Sequence, residues 1–176
     1  MLVRRFHAAR AVIVSLLWCG GLRLVIGPVV ALPFGPVVAP VWLFAIFGAA
    51  MICLPIVSSR LVTCEGQAVR SGRRLRAGRA AAFTVVYGVA LSTFAAGRLT
   101  VALLVVALAC AGLCLVLAAV LGDAAVVVVL AVGLVVVFAS TYPWFAQPLA
   151  AAGSCSLGMA TALVALGAVA SVAGRG

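Results

Sequence analysis

Few side chains in this sequence could do chemistry, and their spacing does not bring them together. The chain has two acidic residues, Glu65 and Asp123, and one histidine, His7. Cys110 and Cys114 are four residues apart, which places them on one face of a helix. Two cysteines and a single distant histidine do not supply the four ligands of a structural zinc site. The six cysteines also lack the spacing of a disulfide framework, so we interpret them as small buried apolar residues.

The same residues do not form a catalytic constellation. The acids and the histidine are widely separated, and no hydroxyl has an evident base beside it. The chain contains no lysine and no asparagine, which excludes a phosphate-binding GxxxxGK loop and an N-glycosylation sequon. We therefore expect a protein that is not an enzyme, has no cofactor or metal, and relies on a separate protein for any ATP hydrolysis.

The composition indicates a membrane protein. Hydrophobic residues make up 68% of the chain and charged residues 8%, whereas soluble proteins have about half and about a quarter. Spans of about 20 residues fit the apolar runs, so we predict an all-α, polytopic bundle of about six transmembrane helices. The predicted spans lie near residues 11–32, 37–57, 80–97, 99–121, 124–141 and 149–173.

The first span is interpreted as retained, because its basic and apolar start lacks a convincing signal-peptide cleavage site. The absence of lysine and asparagine, whose codons are A-rich, indicates a G+C-rich bacterial genome. We expect a multi-pass protein of the bacterial cytoplasmic (inner) membrane.

The run from Leu99 to Thr141 is too long for a single crossing of about 30 Å, and Gly122-Asp123 is its one interruption. We predict a tight hairpin at this point. Gly122 would end one helix in the left-handed conformation, and Asp123 would cap the next.

Arginines dominate the stretch RSGRRLRAGR, residues 70–79. They would scatter around a helix, and Gly72 and Gly78 weaken helicity, so we predict a solvated basic loop over residues 58–79.

With a cytoplasmic N-terminus, ten flanking arginines lie inside and Arg98 outside, which places both termini in the cytoplasm. The arginines would attract anionic lipid headgroups. Nucleic acid is not expected, because no aromatic residue is interleaved with them. The ten are Arg4, Arg5, Arg10, Arg60, Arg70, Arg73, Arg74, Arg76, Arg79 and Arg175.

Arg23 is the strongest local anomaly, because it lies within the first predicted span. An arginine in mid-membrane costs roughly 2.5 to 3.5 kcal/mol by insertion scales. Its partner would be a backbone carbonyl, water, another subunit or an anionic substrate, which makes Arg23 a candidate for a substrate path. Alternatively, the glycines around it and Pro28 break the helix and let its side chain reach the interface.

Three further segments have two interpretations each. The proline-rich PFGPVVAP, residues 33–40, predicts a short outer turn or a re-entrant element. The segment STYPWFAQP, residues 140–148, suits either a headgroup boundary or an outer gating element. Ser154, Gly158 and Ala162 place small side chains on one helix face, which would pack against another helix or a second copy of the chain.

The layout resembles the permease subunits of ABC-2-type transporters. The similarity includes the arginine-rich lead, the cytoplasmic loop between spans 2 and 3, and the proline and aromatic break before span 6. In particular, CEGQAVRSGRRLRAGRAAAFTVVYGVAL and YPWFAQPLAAAG look like parts of small permease-like proteins of actinobacteria. The chain departs from the family in its short length, its abbreviated N-terminal interfacial helix and its slight outer segment before span 6.

The resemblance implies a subunit that pairs with a second copy or a related permease and docks on a cytoplasmic ATPase. The docking segments would be residues 4–10 and 60–79, with Glu65 as the candidate contact and Arg70, Arg73, Arg74 and Arg76 beside it. The expected function is the membrane subunit of an ATP-driven exporter. The alternative is a structural or assembly subunit of a larger membrane complex that transports nothing itself.

Overall fold

A computed structural model describes residues 2–25, 29–31, 38–58, 72–96, 101–142 and 157–173, and these residues are almost entirely helical. The predicted all-α class is confirmed. The long helices are α1 (Leu2–Val25), α2 (Val41–Cys53), α4 (Gly72–Ala95), α5 (Val101–Leu121), α6 (Ala125–Ala139) and α7 (Leu157–Ala173). A single turn, α3 (Pro55–Ser58), follows α2, and a 3₁₀ turn over Gly122–Ala124 joins α5 to α6.

Two helices begin earlier than the sequence suggested. Helix α1 starts at Leu2 and ends at Val25, whereas the predicted span covered residues 11–32. Helix α4 starts at Gly72, so the predicted basic loop over residues 58–79 is wrong from that residue onward. Arginine, leucine and alanine are strong helix formers, and they make up most of the LRAGRAAA stretch despite its glycine.

A small β-ribbon connects α1 to α2 and was not predicted. Strand β1 (Val29–Ala31) pairs antiparallel with β2 (Val38–Pro40), with Val30 opposite Ala39. β-Branched valines favour extended backbone, and the nearby prolines do not continue a helix. The turn predicted for PFGPVVAP falls largely on residues 32–37, which lie outside the described part of the chain.

Contacts between side chains show the directions of the helices. Helices α1 and α2 are antiparallel, because Ser15 faces Cys53 while Trp18 lies on Gly48. Helix α6 is antiparallel to α2 as well, since Gly133 meets Phe47.

Helix α6 reaches the start of α2 through Val137, which packs with Leu43 in a small cluster of buried side chains. Helices α5 and α7 run in the same direction, because Gly112 meets Leu163 and Leu115 meets Gly167.

The short helix α3 marks one end of the bundle. It contacts α1, α2, α4, α5 and the 3₁₀ turn. The last turn of α1 is bonded to the last turn of α4, and these two helices also have extensive contact, so they run parallel. The N-termini of α1, α4 and α6 therefore lie at this end, together with the C-termini of α2 and α5. We call it the α3 end.

Helices α5 and α7 make the most extensive helix contact in the described structure, and glycines permit it. A Cβ atom built on Gly112 would lie 2.7 Å from the main-chain carbon of Leu163, and one built on Gly167 would lie 2.7 Å from the Gly112 carbonyl oxygen. Real Cβ atoms do not approach backbone this closely. The two helix backbones are thus in direct contact, as small residues allow in apolar bundles.

Large apolar side chains cover the outside of the bundle as well as its core. Leu17, Val85, Val127 and Leu166 are all more than half exposed. Two helical stretches, Arg76–Ala95 and Leu103–Ala139, are long and apolar enough to cross a membrane, and the second includes the turn at Gly122. Two others, Val41–Val57 and Gly158–Ala170, are apolar but shorter.

The turn between α5 and α6 was predicted correctly in one of its two parts. Gly122 has a φ of 59°, the left-handed conformation expected for it. Asp123 lies inside the 3₁₀ turn, and Ala124 occupies the N-cap position of α6. The prediction that Asp123 is the N-cap residue is therefore wrong by one position, because the 3₁₀ turn delays the start of the α-helix.

Replacing Gly112 with alanine tests the contact between α5 and α7. The added methyl group would push the two backbones apart, and overpacking of this kind costs about 1 to 3 kcal/mol. Gly88 on α4 is the matched control, because a Cβ atom there would have no other atom within 4 Å. Gly88→Ala should therefore stabilise the protein by about 0.5 to 1 kcal/mol through helix propensity. Equal unfolding free energies for the two variants, measured in mixed detergent micelles, would contradict this contact.

Candidate functional site

Arg23 lies in the last turn of α1, not in the middle of a span. Its side chain is exposed, and Nη1 donates a hydrogen bond of 3.1 Å to the Thr93 carbonyl oxygen. Helix α4 ends at Ala95, so this carbonyl is one of the last four, which have no partner within the helix. A cation at a helix C-terminus also complements the partial negative charge there.

This hydrogen bond identifies the partner of Arg23 as backbone, one of the partners that the sequence allowed. The end of α1 at Val25 also puts the guanidinium near one end of the bundle. The described geometry gives Arg23 the role of joining α1 to α4. A role in passing a substrate stays a prediction.

Trp18 makes a second bond between helices that the sequence did not reveal. Its indole Nε1 donates to the Phe44 carbonyl oxygen at 3.1 Å, and its ring lies on Gly48, where any Cβ atom would overlap it. A tryptophan in an apolar run needs an acceptor for its N–H group, and this need is the sequence signal for such a bond. The acceptor itself could not be found in the sequence, because every residue has a carbonyl.

The buried thiols and a tyrosine share one core. Cys19, Cys53, Cys110 and Cys114 are free and buried in the cluster that also holds Tyr87. Tyr87 is 3% exposed, and its ring stacks on Phe83 with centroids 5.7 Å apart.

The Tyr87 hydroxyl lies beside the thiols of Cys110 and Cys114. In the described part of the chain, no three Cys, His or acidic side chains are grouped so that they could hold a metal ion. The arrangement fits thiols that pack as small apolar groups around an aromatic pair.

The candidate docking residues fall in and before α4. Glu65 and Arg70 lie outside the described residues. Arg73 and Arg74 lie in the first turn of α4, and Arg76 follows with its side chain half-buried. The structure therefore places three of the four docking arginines on a helix rather than in a loop, and contact with an ATPase stays a prediction.

The predicted small-residue face of the last helix is not the face that contacts α5. Gly158 and Ala162 are exposed, while Ala160 and Gly167 are buried, and Ser154 lies outside the described residues. Packing of this face against a second copy stays a prediction. Of the segment STYPWFAQP, Ser140 to Tyr142 are described, and Tyr142 is 57% exposed.

Comparison with known protein families, with curated proteins and with solved structures gives no match.

Replacing Arg23 with leucine tests its assigned role. The Thr93 carbonyl would lose its donor, and we expect a loss of about 0.5 to 1.5 kcal/mol in unfolding free energy, as for a typical hydrogen bond. Arg98→Leu removes another arginine just beyond α4 and is the control, with a smaller expected effect. Unfolding in mixed micelles measures both. An Arg23→Leu variant as stable as the unaltered protein would remove the structural role and leave the substrate path as the better interpretation.

Proposed function

We propose that this chain spans a bacterial cytoplasmic membrane six times and is the membrane subunit of an ATP-driven exporter that works with a separate ATPase. The observation that supports six spans is the alternating direction of the long helices. It puts the N-termini of α1 and α4, the short helix α3 and the turn at Gly122 at the same end of the bundle. Ten of the flanking arginines would then lie on the cytoplasmic side.

The proposal requires two helices that are shorter than the membrane is thick to cross it. Helix α2 has 13 residues and α6 has 15, so they rise about 20 Å, less than the hydrocarbon thickness of about 30 Å. Local thinning of the bilayer accommodates a short span at a cost of fractions of a kcal/mol per Å. The exposed valines and leucines of α6 and α7 suit lipid on their outer faces.

Transport would take place between this chain and a second permease subunit. The described core is filled by Phe83, Ile46, Leu54 and Leu115, each fully buried. The hydroxyls of Thr84, Ser92 and Ser140 donate to carbonyls of their own helices, so they offer little to a polar substrate. A path between two copies, or between this chain and a related permease, agrees with the paired subunits that the ABC-2 resemblance implies.

One observation favours the alternative of an assembly subunit. The Arg23 guanidinium, the candidate group for an anionic substrate, already donates to the Thr93 carbonyl within the same chain. A protein that only packs into a larger complex needs this bond and no substrate contact.

Reporter fusions test the six-span topology. Alkaline phosphatase is active only outside the cytoplasm, and green fluorescent protein fluoresces only inside it. We expect active phosphatase after Arg98, and fluorescence without phosphatase activity after Gly66, Asp123 and Gly176. Phosphatase activity after Gly66 or Gly176 would contradict the proposed arrangement.

Native mass spectrometry of the protein, extracted gently from its host, tests the exporter. We expect a P-loop ATPase to accompany it and to be lost on Glu65→Lys. The control Asp123→Lys makes the same charge change at the turn between α5 and α6, and it should keep the ATPase. Recovery with other membrane subunits and no ATPase at any detergent strength would contradict the exporter and favour the assembly subunit.

A further inference from the structure

Two exposed arginines on α1 lie about 20 Å apart along the helix axis. Arg10 and Arg23 are 13 residues apart, and a helix rises about 1.5 Å per residue. Between them α1 exposes large apolar side chains, with Ile13 57% and Leu17 69% exposed. The outer face of α1 therefore has a short apolar stretch with a cation at each end.

Arg10 lies level with the short helix α3. Ser15 faces Cys53 across the antiparallel pair of α1 and α2. Arg10 precedes Ser15 by five residues, so it lies level with the residue five after Cys53, which is Ser58 at the end of α3. The turn over Gly122–Ala124, from which α6 begins, contacts α3 as well. The first arginine, the end of α3 and the start of α6 thus lie close to one level.

Arg23 lies level with the other ends of the two short helices. Trp18 lies on Gly48, and Arg23 follows Trp18 by five residues. It therefore lies level with Leu43, five residues before Gly48 and in the first turn of α2. Leu43 packs with Val137, which belongs to the last turn of α6. The start of α2 and the end of α6 thus agree with the second arginine.

The helices that expose most of their length are short as well. Helix α6 has 15 residues and rises about 22 Å, and α7 has 17 and rises about 25 Å. Val127 and Val135 on α6 and Leu166 on α7 are all more than 60% exposed. Helix α5 is longer, with 21 residues, but most of its described side chains are buried or half-buried. It therefore contributes less to the outer surface.

The bond to α4 keeps the charge of Arg23 at its level. An arginine near a membrane surface normally extends its long side chain until the charged group reaches water. The Arg23 guanidinium instead donates to the Thr93 carbonyl at 3.1 Å, in the last turn of α4. Moving the charge outward would break this bond, so Arg23 marks a fixed edge of the apolar surface.

We propose that the lipid-facing surface of this protein is about 20 to 25 Å thick, and that it therefore binds lipids with short acyl chains in preference to lipids with long ones. This inference rests on the proposed membrane location. A hydrocarbon layer of about 30 Å would either cover an arginine or become thinner beside the protein, and thinning costs free energy for each Å of mismatch. Short chains form a thinner layer, so they avoid both costs.

Quenching of tryptophan fluorescence by brominated lipid measures this preference. The full-length protein is reconstituted in brominated dioleoyl phosphatidylcholine mixed with phosphatidylcholine that carries myristoleoyl, palmitoleoyl, oleoyl or eicosenoyl chains. Trp18 is 41% exposed between the two arginines of α1, so it reports the lipid beside that helix. We expect the myristoleoyl lipid to compete with at least about threefold higher affinity than the oleoyl lipid, and the eicosenoyl lipid to compete least.

Two variants at Arg10 test whether the arginines set the thickness. Arg10→Leu removes the charge and extends the apolar surface of α1 toward its N-terminus, so the preference for the myristoleoyl lipid should fall at least about twofold. Arg10→Lys keeps a cation at the same level and is the matched control, which should retain the preference. Circular dichroism and melting temperature show whether each variant is folded.

Three results would overturn the thin lipid-facing surface: equal affinity for all chain lengths, a preference for the longest chains, or an Arg10→Leu variant that behaves like Arg10→Lys. Each is measured without an ATPase, so it leaves the exporter proposal and the six-span topology standing. A lack of quenching by brominated lipid in every mixture would contradict the membrane location itself and would overturn both proposals.

Discussion

The hydrogen bond from Arg23 to the Thr93 carbonyl sets the arrangement on which the rest of the bundle depends. The Arg23 guanidinium is a charged donor at the end of α1, and the Thr93 carbonyl is an acceptor with no partner inside α4. The bond between them satisfies both groups. The bond joins the last turns of α1 and α4, which run parallel and in extensive contact, and it sets these two turns at the same height. The positions of the N-terminal arginines at the α3 end follow from that register. In a bundle made mostly of small apolar side chains, few other contacts are directional enough to do this.

The sequence predicted those features of the fold that depend on local chemistry. Gly122 was identified as a left-handed turn because a long apolar run needed one interruption, and its φ of 59° agrees. The helical class followed from composition. The start of α4 at Gly72 was missed because two glycines and a scattered charge pattern outweighed the strong propensity of the arginines and alanines around them.

Features that depend on tertiary contact were not predictable in the same way. The carbonyl partner of Arg23 lies 70 residues away in sequence, and no residue type marks one carbonyl over another. Gly112 and Gly167 look like ordinary helix glycines until α5 and α7 are placed side by side, where a Cβ atom on either would meet backbone. The small-residue pattern at Gly158 and Ala162 was found, yet the helix uses a different face against α5. Small residues are common in apolar helices. Their spacing therefore predicts that helices can pack closely, but it does not identify the helix face that makes the contact.

The helices differ in length, and the difference separates a long pair from a short pair. Helices α1 and α4 have 24 residues each, whereas α2 and α6 have 13 and 15. The extra turns of the long pair carry the arginines and lie at the α3 end. There the chain supplies many cations and almost no anions, while further along the same helices it exposes large apolar side chains. The charge pattern expected to orient such a chain during insertion therefore lies on the turns by which the long helices extend beyond the short pair.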